Sequence, residues 1–200
     1  MLEVKDATIA VGEKTLATNL SFIARDGELT CITGPAGSGK TAFIRTLMGF
    51  LPVKAGFVSV DGELLTVQSS HAFRKMMVYL PQTIAQLAHQ LKAVSPALPE
   101  ADDYAVWDTL MPKAVAMESP APLSAEDIFA LIEKTIREAP DKPIIVADEP
   151  SALLTPELTE RVIDLLKAQA AAGKTVLVAS AKYQVARQAD QVITLENNKS

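Results

Sequence analysis

Gly34-Pro35-Ala36-Gly37-Ser38-Gly39-Lys40-Thr41 follows the pattern G-x-x-x-x-G-K-[ST]. Its glycines let successive backbone N–H groups turn inward without Cβ clashes. The result is an anion nest at the start of a helix, where the helix dipole also favours negative charge. Lys40 is then placed to reach the β- and γ-phosphates of a nucleotide, and the Thr41 hydroxyl to meet Mg²⁺. A second segment, Ile144-Ile145-Val146-Ala147-Asp148-Glu149, is an apolar run that delivers two carboxylates at its end. At the carboxyl edge of a parallel sheet, where open α/β sheets bind ligands, Asp148 would hold Mg²⁺ directly or through water. Glu149 would polarise an attacking water as general base.

These side chains need strands and helices to hold them. Leu2 to Val11 and Leu16 to Ala24 read as strands around a Gly-Glu-Lys turn, and Glu28 to Thr33 as a short buried strand ending at Gly34. The spacing of Ala42, Phe43, Ile44, Leu47 and Met48 predicts a helix from Gly39 to about Gly49, stopped by Pro52. Gly56 to Val60 reads as a strand entering an Asp-Gly turn. Thr83 to about Ala139 is Ala- and Leu-rich and broken by Pro96, Pro99, Pro112, Pro120 and Pro122. It is expected to be an inserted helical lobe. Beyond it, Ile144 to Ala147, Val176 to Ala179 and Val192 to Leu195 read as buried strands alternating with helices, the first helix spanning Pro156 to Ala172. That alternation favours a parallel sheet covered by helices.

Composition sets the frame. The chain has 200 residues, 48% of them apolar, enough for one well-filled domain. Its 19 basic and 24 acidic residues give a net charge of -5, with no run of five like charges, which argues against a nucleic-acid partner. Cys31 is the only cysteine, so no intrachain disulfide can form and a reducing compartment is expected. The N-terminal residues lack the pattern of a secretory signal, and no stretch approaches the ~20 apolar residues of a spanning helix. A membrane role would therefore need another chain to do the spanning.

Further motifs surround the two chemical segments in order: Leu47-Met48-Gly49, Gly56 to Gly62, Val78-Tyr79-Leu80-Pro81-Gln82, Ala147-Asp148-Glu149-Pro150-Ser151-Ala152-Leu153, and Ala189 to Glu196. In this order and spacing the chain resembles the ATP-binding cassette (ABC) ATPases over nearly its whole length. The resemblance implies an α/β fold of the P-loop NTPase type: a mostly parallel sheet flanked by helices, an N-terminal antiparallel β layer and an inserted helical subdomain. The whole chain, 1–200, would be one ATP-binding domain, with 1–82 and 140–200 as the nucleotide-binding core and 83–139 as the helical subdomain. It further implies that ATP is held by Gly34, Pro35, Ala36, Gly37, Ser38, Gly39, Lys40, Thr41, Ala42 and Gln82. Mg²⁺ would be held by Thr41, Gln82 and Asp148, and the reaction served by Lys40, Gln82 and Glu149.

The chain also departs from that family. Where the family carries the signature loop Leu-Ser-Gly-Gly-Gln, the counterpart is Leu123-Ser124-Ala125-Glu126-Asp127. Ser124 and Ala125 hold the signature position. Ser124 with Asp127 is equally an S-x-x-D capping box opening the helix that carries Ile128, Phe129, Leu131, Ile132 and Ile136. Glu126 and Asp127 beside a triphosphate would repel it by about a kcal/mol or more each. The aspartate expected after Ser-Ala-Leu is Leu154, and the switch histidine falls on Ala181, with Lys182 beside it. An adenine-stacking aromatic is expected near Ala10 or Val11, yet the first aromatic is Phe22. The resemblance thus implies an ATP-binding transporter subunit that binds Mg-ATP, hydrolyses it slowly and drives a membrane permease. It would pair with another nucleotide-binding subunit, identical or not, as a peripheral protein on the cytoplasmic face of the membrane. The alternatives are a regulatory subunit with little hydrolysis, or a non-transport ABC protein.

Overall fold

The computed structural model describes residues 1–82 and 123–196. Strand β1 (Leu2–Val11) buries Leu2 and Val4, slips at Lys5 and Asp6, and then buries Ala7 and Ile9. Asp6 takes a positive φ of 47° at this irregularity. The extra residue restores the two-residue alternation, so both halves of the strand face one core. β1 pairs antiparallel with β2 (Lys14–Ala24) and with β4 (Ala55–Val60), and β4 pairs with β5 (Glu63–Leu64). This is the antiparallel layer the resemblance implied, in the order β2-β1-β4-β5.

The second sheet is parallel throughout: β6 (Met77–Leu80), β7 (Ile144–Asp148), β8 (Thr175–Ala179), β3 (Leu29–Thr33) and β9 (Gln191–Thr194), in that spatial order. All five residues of β7 and of β8 are buried. That follows from their apolar runs, because a parallel sheet is covered on both faces. Ile144 and Val146 of β7, Leu177 of β8 and Ile32 of β3 face one core, which helix α1 (Lys40–Leu47) fills with Phe43, Ile44 and Leu47. The antiparallel layer closes this core with Leu2, Val4 and Val58. Ile145, Val176, Val178 and Cys31 face a second core. Helices α3 (Ala125–Arg137), α4 (Pro156–Ala171) and α5 (Tyr183–Gln188) cover that face with Ile132, Leu158, Val162 and Val185.

Two differences from the sequence expectation have physical causes. β9 is an edge strand whose side chains alternate between half-exposed and exposed, with Val192 45% exposed, so it is not a buried strand. Helix α2 (Ser70–Lys75) was not expected. It has six residues, too few for helical periodicity, and it forms where Thr66 and Ser69 bond to each other and Ser70 Oγ bonds to Val67 O. The expected helical lobe at 83–139 falls outside the described residues as far as residue 122. Its remainder carries α3, which packs on the second face of the parallel sheet. No described helix is long and apolar enough to cross a membrane.

Candidate functional site

The phosphate-binding loop leaves β3 at Gly34, and only glycine fits there. A Cβ would lie 2.4 Å from Leu195 O and 2.6 Å from Ser38 Oγ. Gly39, which caps α1, has φ +96°, and its missing Cβ would press on Leu16 at 2.9 Å. Between them the Ser38 N–H donates to Pro35 O at 3.2 Å. Lys40 bends back over the loop, and its Nζ donates to Gly34 O at 2.9 Å and to Pro35 O at 3.3 Å. The same Nζ lies 3.5 Å from Glu149 Oε1, and both side chains are largely buried.

Thr41, on the first turn of α1, donates its hydroxyl to Asp148 Oδ1 at 3.2 Å. Asp148 closes β7 and is fully buried. Burial pushes its carboxyl above the ordinary range; Glu149 adds to the rise, while the Thr41 bond, Arg45 and Lys40 oppose it. Among the described residues, Asp148 Oδ2, Ser38 Oγ and Ser151 Oγ are buried without a hydrogen-bond partner. A magnesium ion fits these groups. It binds hard oxygen donors, commonly takes one or two carboxylates together with substrate phosphates, and leaves the rest to water. The described residues hold no cluster of three or more His, Cys, Asp or Glu that could cage a metal.

Glu149 has φ +48°, a left-handed conformation that costs a residue with a side chain roughly 1–2 kcal/mol. Surrounding bonds hold it there. Its N–H donates to Ala179 O at 2.8 Å, and its carboxylate accepts the Ala181 N–H at 3.0 and 3.2 Å. This aims the carboxylate at Lys40 and the phosphate loop. Gln82, two residues beyond β6, is exposed and shares a cleft with Pro81, Glu149, Pro150 and Leu153. The structure therefore pairs Lys40 with Glu149 and Thr41 with Asp148, the two carboxylates being neighbours at the end of β7, while Gln82 shares its cleft with Glu149 alone of these four. Ala42, the next residue of α1, packs partly buried against the first core.

Ser124 is not brought to that cluster. Its hydroxyl donates to Asp127 Oδ2 at 2.6 Å, its N–H reaches the same oxygen at 3.1 Å, and the Asp127 N–H returns to Ser124 Oγ at 3.2 Å. The capping box of the sequence is thus formed, and it holds the Asp127 carboxyl below its usual range. Ala125 opens α3 and packs partly buried against the second core. Glu126 pairs with Arg161 of α4 at 3.3 Å, and that guanidinium lies over the Phe129 ring.

The other departures also have structural consequences. Leu154, where an aspartate was expected, is 7% exposed and packs into the second core, while Leu153 stays 66% exposed. Ala181 contributes its backbone N–H in place of a histidine side chain. Phe22 packs against Phe43 in the first core, and Val11, near which the ring was expected, is 49% exposed. Sequence reading assigned no role to Lys182, whose Nζ donates to Ser151 O, Leu154 O and Thr159 Oγ1. A lysine three residues beyond the apolar run Val176 to Ala179 was its one signal in the sequence.

A nest of amides at a helix N-terminus, backed by paired carboxylates at the carboxyl edge of a parallel sheet, defines a P-loop NTPase. Residues 17–152 match the family described as ABC transporter, and the chain belongs to that family, as an ATP-binding subunit and ATPase. It is similar to the L-cystine import ATP-binding protein TcyN of Bacillus subtilis (strain 168), 24% identical over 215 residues that cover 98% of this chain and 82% of the relative. The glutamate/aspartate import ATP-binding protein GltL of Escherichia coli (strain K12) is 26% identical over 217 residues, covering 100% and 88%. Among solved structures, the post-hydrolysis dimer of the ATP-binding cassette MJ0796 bound to ADP and Pi matches with a TM-score of 0.70 at 23% identity, covering 100% of this chain and 97% of that one. CbiO1 from Clostridium perfringens, part of the transporter complex cbiONQ, matches with a TM-score of 0.71 at 17% identity, covering 97% and 84%. Both likenesses speak to the fold.

Proposed function

We propose that this chain binds Mg-ATP in a half-site built within one subunit and hydrolyses it slowly to drive a membrane permease. Phosphates would displace Lys40 from Gly34 O and Pro35 O and gain its ammonium. Thr41 and Asp148 would hold Mg²⁺, which screens the phosphate charge, and Gln82 would reach the same ion from the cleft. Glu149, freed from Lys40 yet still bonded to the Ala181 N–H, would take a proton from the attacking water. The observation that carries this reading is the Thr41–Asp148 bond beside an orphaned, fully buried Asp148 Oδ2.

A second nucleotide-binding subunit and a permease are the partners this role requires. The chain would sit on the cytoplasmic face of the membrane through the permease. Relatives at 24% and 26% identity are named as import ATP-binding proteins, which supports that placement. Slow turnover is expected because Ser124 is committed to its capping box and Ala181 offers no side chain to the γ-phosphate. Lost transition-state contacts of this kind cost roughly ten- to a thousandfold in rate.

Glu149→Gln tests the reading directly. Retained Mg-ATP binding with hydrolysis reduced at least a hundredfold is expected. Hydrolysis at the wild-type rate would remove Glu149 from the role of base. The capping box and the acidic pair Glu126 and Asp127 also favour a second reading, a regulatory subunit beside a partner with an intact signature. Coexpression with such a partner would then raise turnover well above that of this chain alone.

A further inference from the structure

The loop from Glu149 to Thr155 carries the proposed base at one end and the cap of α4 at the other. Within it, the Ala152 N–H donates to Glu149 O and the Leu154 N–H to Ser151 O. The carbonyls of Ser151 and Leu154 both accept from the Lys182 ammonium, for Ser151 in addition to the Leu154 N–H, and the ammonium also bonds Thr159 Oγ1 of α4. A lysine ammonium has three protons, and here each has a neutral oxygen. Lys182 is itself fixed, since its N–H donates to Ser180 Oγ and the Ser180 N–H to Ile32 O of β3. The adjacent Ala181 N–H holds the Glu149 carboxylate. Residues 180–182 therefore grip the catalytic loop twice: by a backbone amide at Glu149 and by a side-chain ammonium at the far end.

We propose that Lys182 is a positioning residue for hydrolysis. By tying Ser151, Leu154 and Thr159 to the β8–α5 turn, it keeps Glu149 in its left-handed conformation with its carboxylate toward the phosphate loop. The inference rests on Glu149 acting as base. A clamp is needed because a residue with a side chain at φ +48° relaxes unless its surroundings over-determine it. Lys182 does not touch Lys40, Thr41 or Asp148 in any of these bonds, so its effect belongs to the chemical step and not to nucleotide affinity.

The test compares Lys182→Ala, Lys182→Met and Lys182→Arg in the full chain. Met keeps the stem and removes every donor, whereas Arg restores donors. Both Ala and Met are expected to lower kcat at least tenfold, with Mg-ATP affinity within about threefold of wild type, and Arg to recover most of the loss. Amide exchange without nucleotide is expected to speed up at Ala152, Leu154 and Ala181 in the Ala and Met variants and at few other sites. Unchanged exchange there would overturn the clamp, as would kcat and affinity falling together with the Tm. A wild-type protein that hydrolyses no ATP would contradict the ATPase reading alone, leaving the exchange measurement to decide the clamp.

Discussion

Asp148 shows most clearly how the site trades stability for chemistry. It is fully buried, only one of its oxygens is bonded, and burial raises its pKa. A carboxyl whose pKa rises on folding binds its proton more tightly in the folded state. Its stabilising effect is thus complete below the unfolded value and is lost as pH rises through the folded one. At neutral pH the charged Asp148 is a cost. Asp148→Asn, which keeps an oxygen for Thr41, should raise the Tm of the nucleotide-free protein by about 2–4 °C or more, measured by calorimetry. The extra stabilisation that Mg²⁺ adds to ATP should disappear in the same variant. A lower Tm without nucleotide would show that Asp148 is held for stability. The pairing of Thr41 with Asp148 and of Lys40 with Glu149 in the candidate site was foreshadowed in the sequence, because G-x-x-x-x-G-K-[ST] and an apolar run ending in Asp-Glu each imply where their side chains go. Lys182 was not, since its role depends on carbonyls some thirty residues away that the fold brings beneath it.

Among the elements, α3 decides how much of the family's chemistry remains at Ser124. Every bond of the Ser124 hydroxyl and N–H closes on Asp127, which is what a helix N-cap requires. Ser124→Ala should therefore lower the Tm by about 2–4 °C, the size of a lost cap in a chain of this length, and leave ATP turnover within about twofold. Turnover falling tenfold with an unchanged Tm would instead give the serine a role toward nucleotide. The capping box could be read from four residues because it is local. β7 and β8 could be read because a strand buried on both faces is apolar throughout. β9 could not be read in the same way: Val192 and Ile193 are equally apolar, and only its place at the sheet edge leaves Val192 exposed. α2 escaped because side-chain bonds among Thr66, Ser69 and Ser70 start it, and its six residues show no repeating face.

At the scale of the molecule, the described residues form two sheets with α1 packed between them and α3, α4 and α5 on the far face of the parallel sheet, and that arrangement places the phosphate loop. β3 delivers Gly34 from beside the edge strand β9, and α1 is held in the first core, to which both layers contribute. Asp148 and Glu149 arrive from β7, separated from β3 by β8. The layered order was legible from the alternation of strands and helices together with the family resemblance. The proposed permease, second subunit and transported substrate would lie in contacts outside this chain, so no internal pattern encodes them. The central claim is a Mg-ATP half-site within one subunit, centred on Lys40, Thr41 and Asp148. Calorimetric titration of ATP into the wild-type chain and into Lys40→Ala, each with and without Mg²⁺, tests it most directly. Saturable binding strengthened by Mg²⁺ and weakened at least tenfold by the substitution is expected, as loss of a charge-assisted phosphate contact implies. Binding indifferent to both Mg²⁺ and Lys40, or no binding at all, would contradict the account.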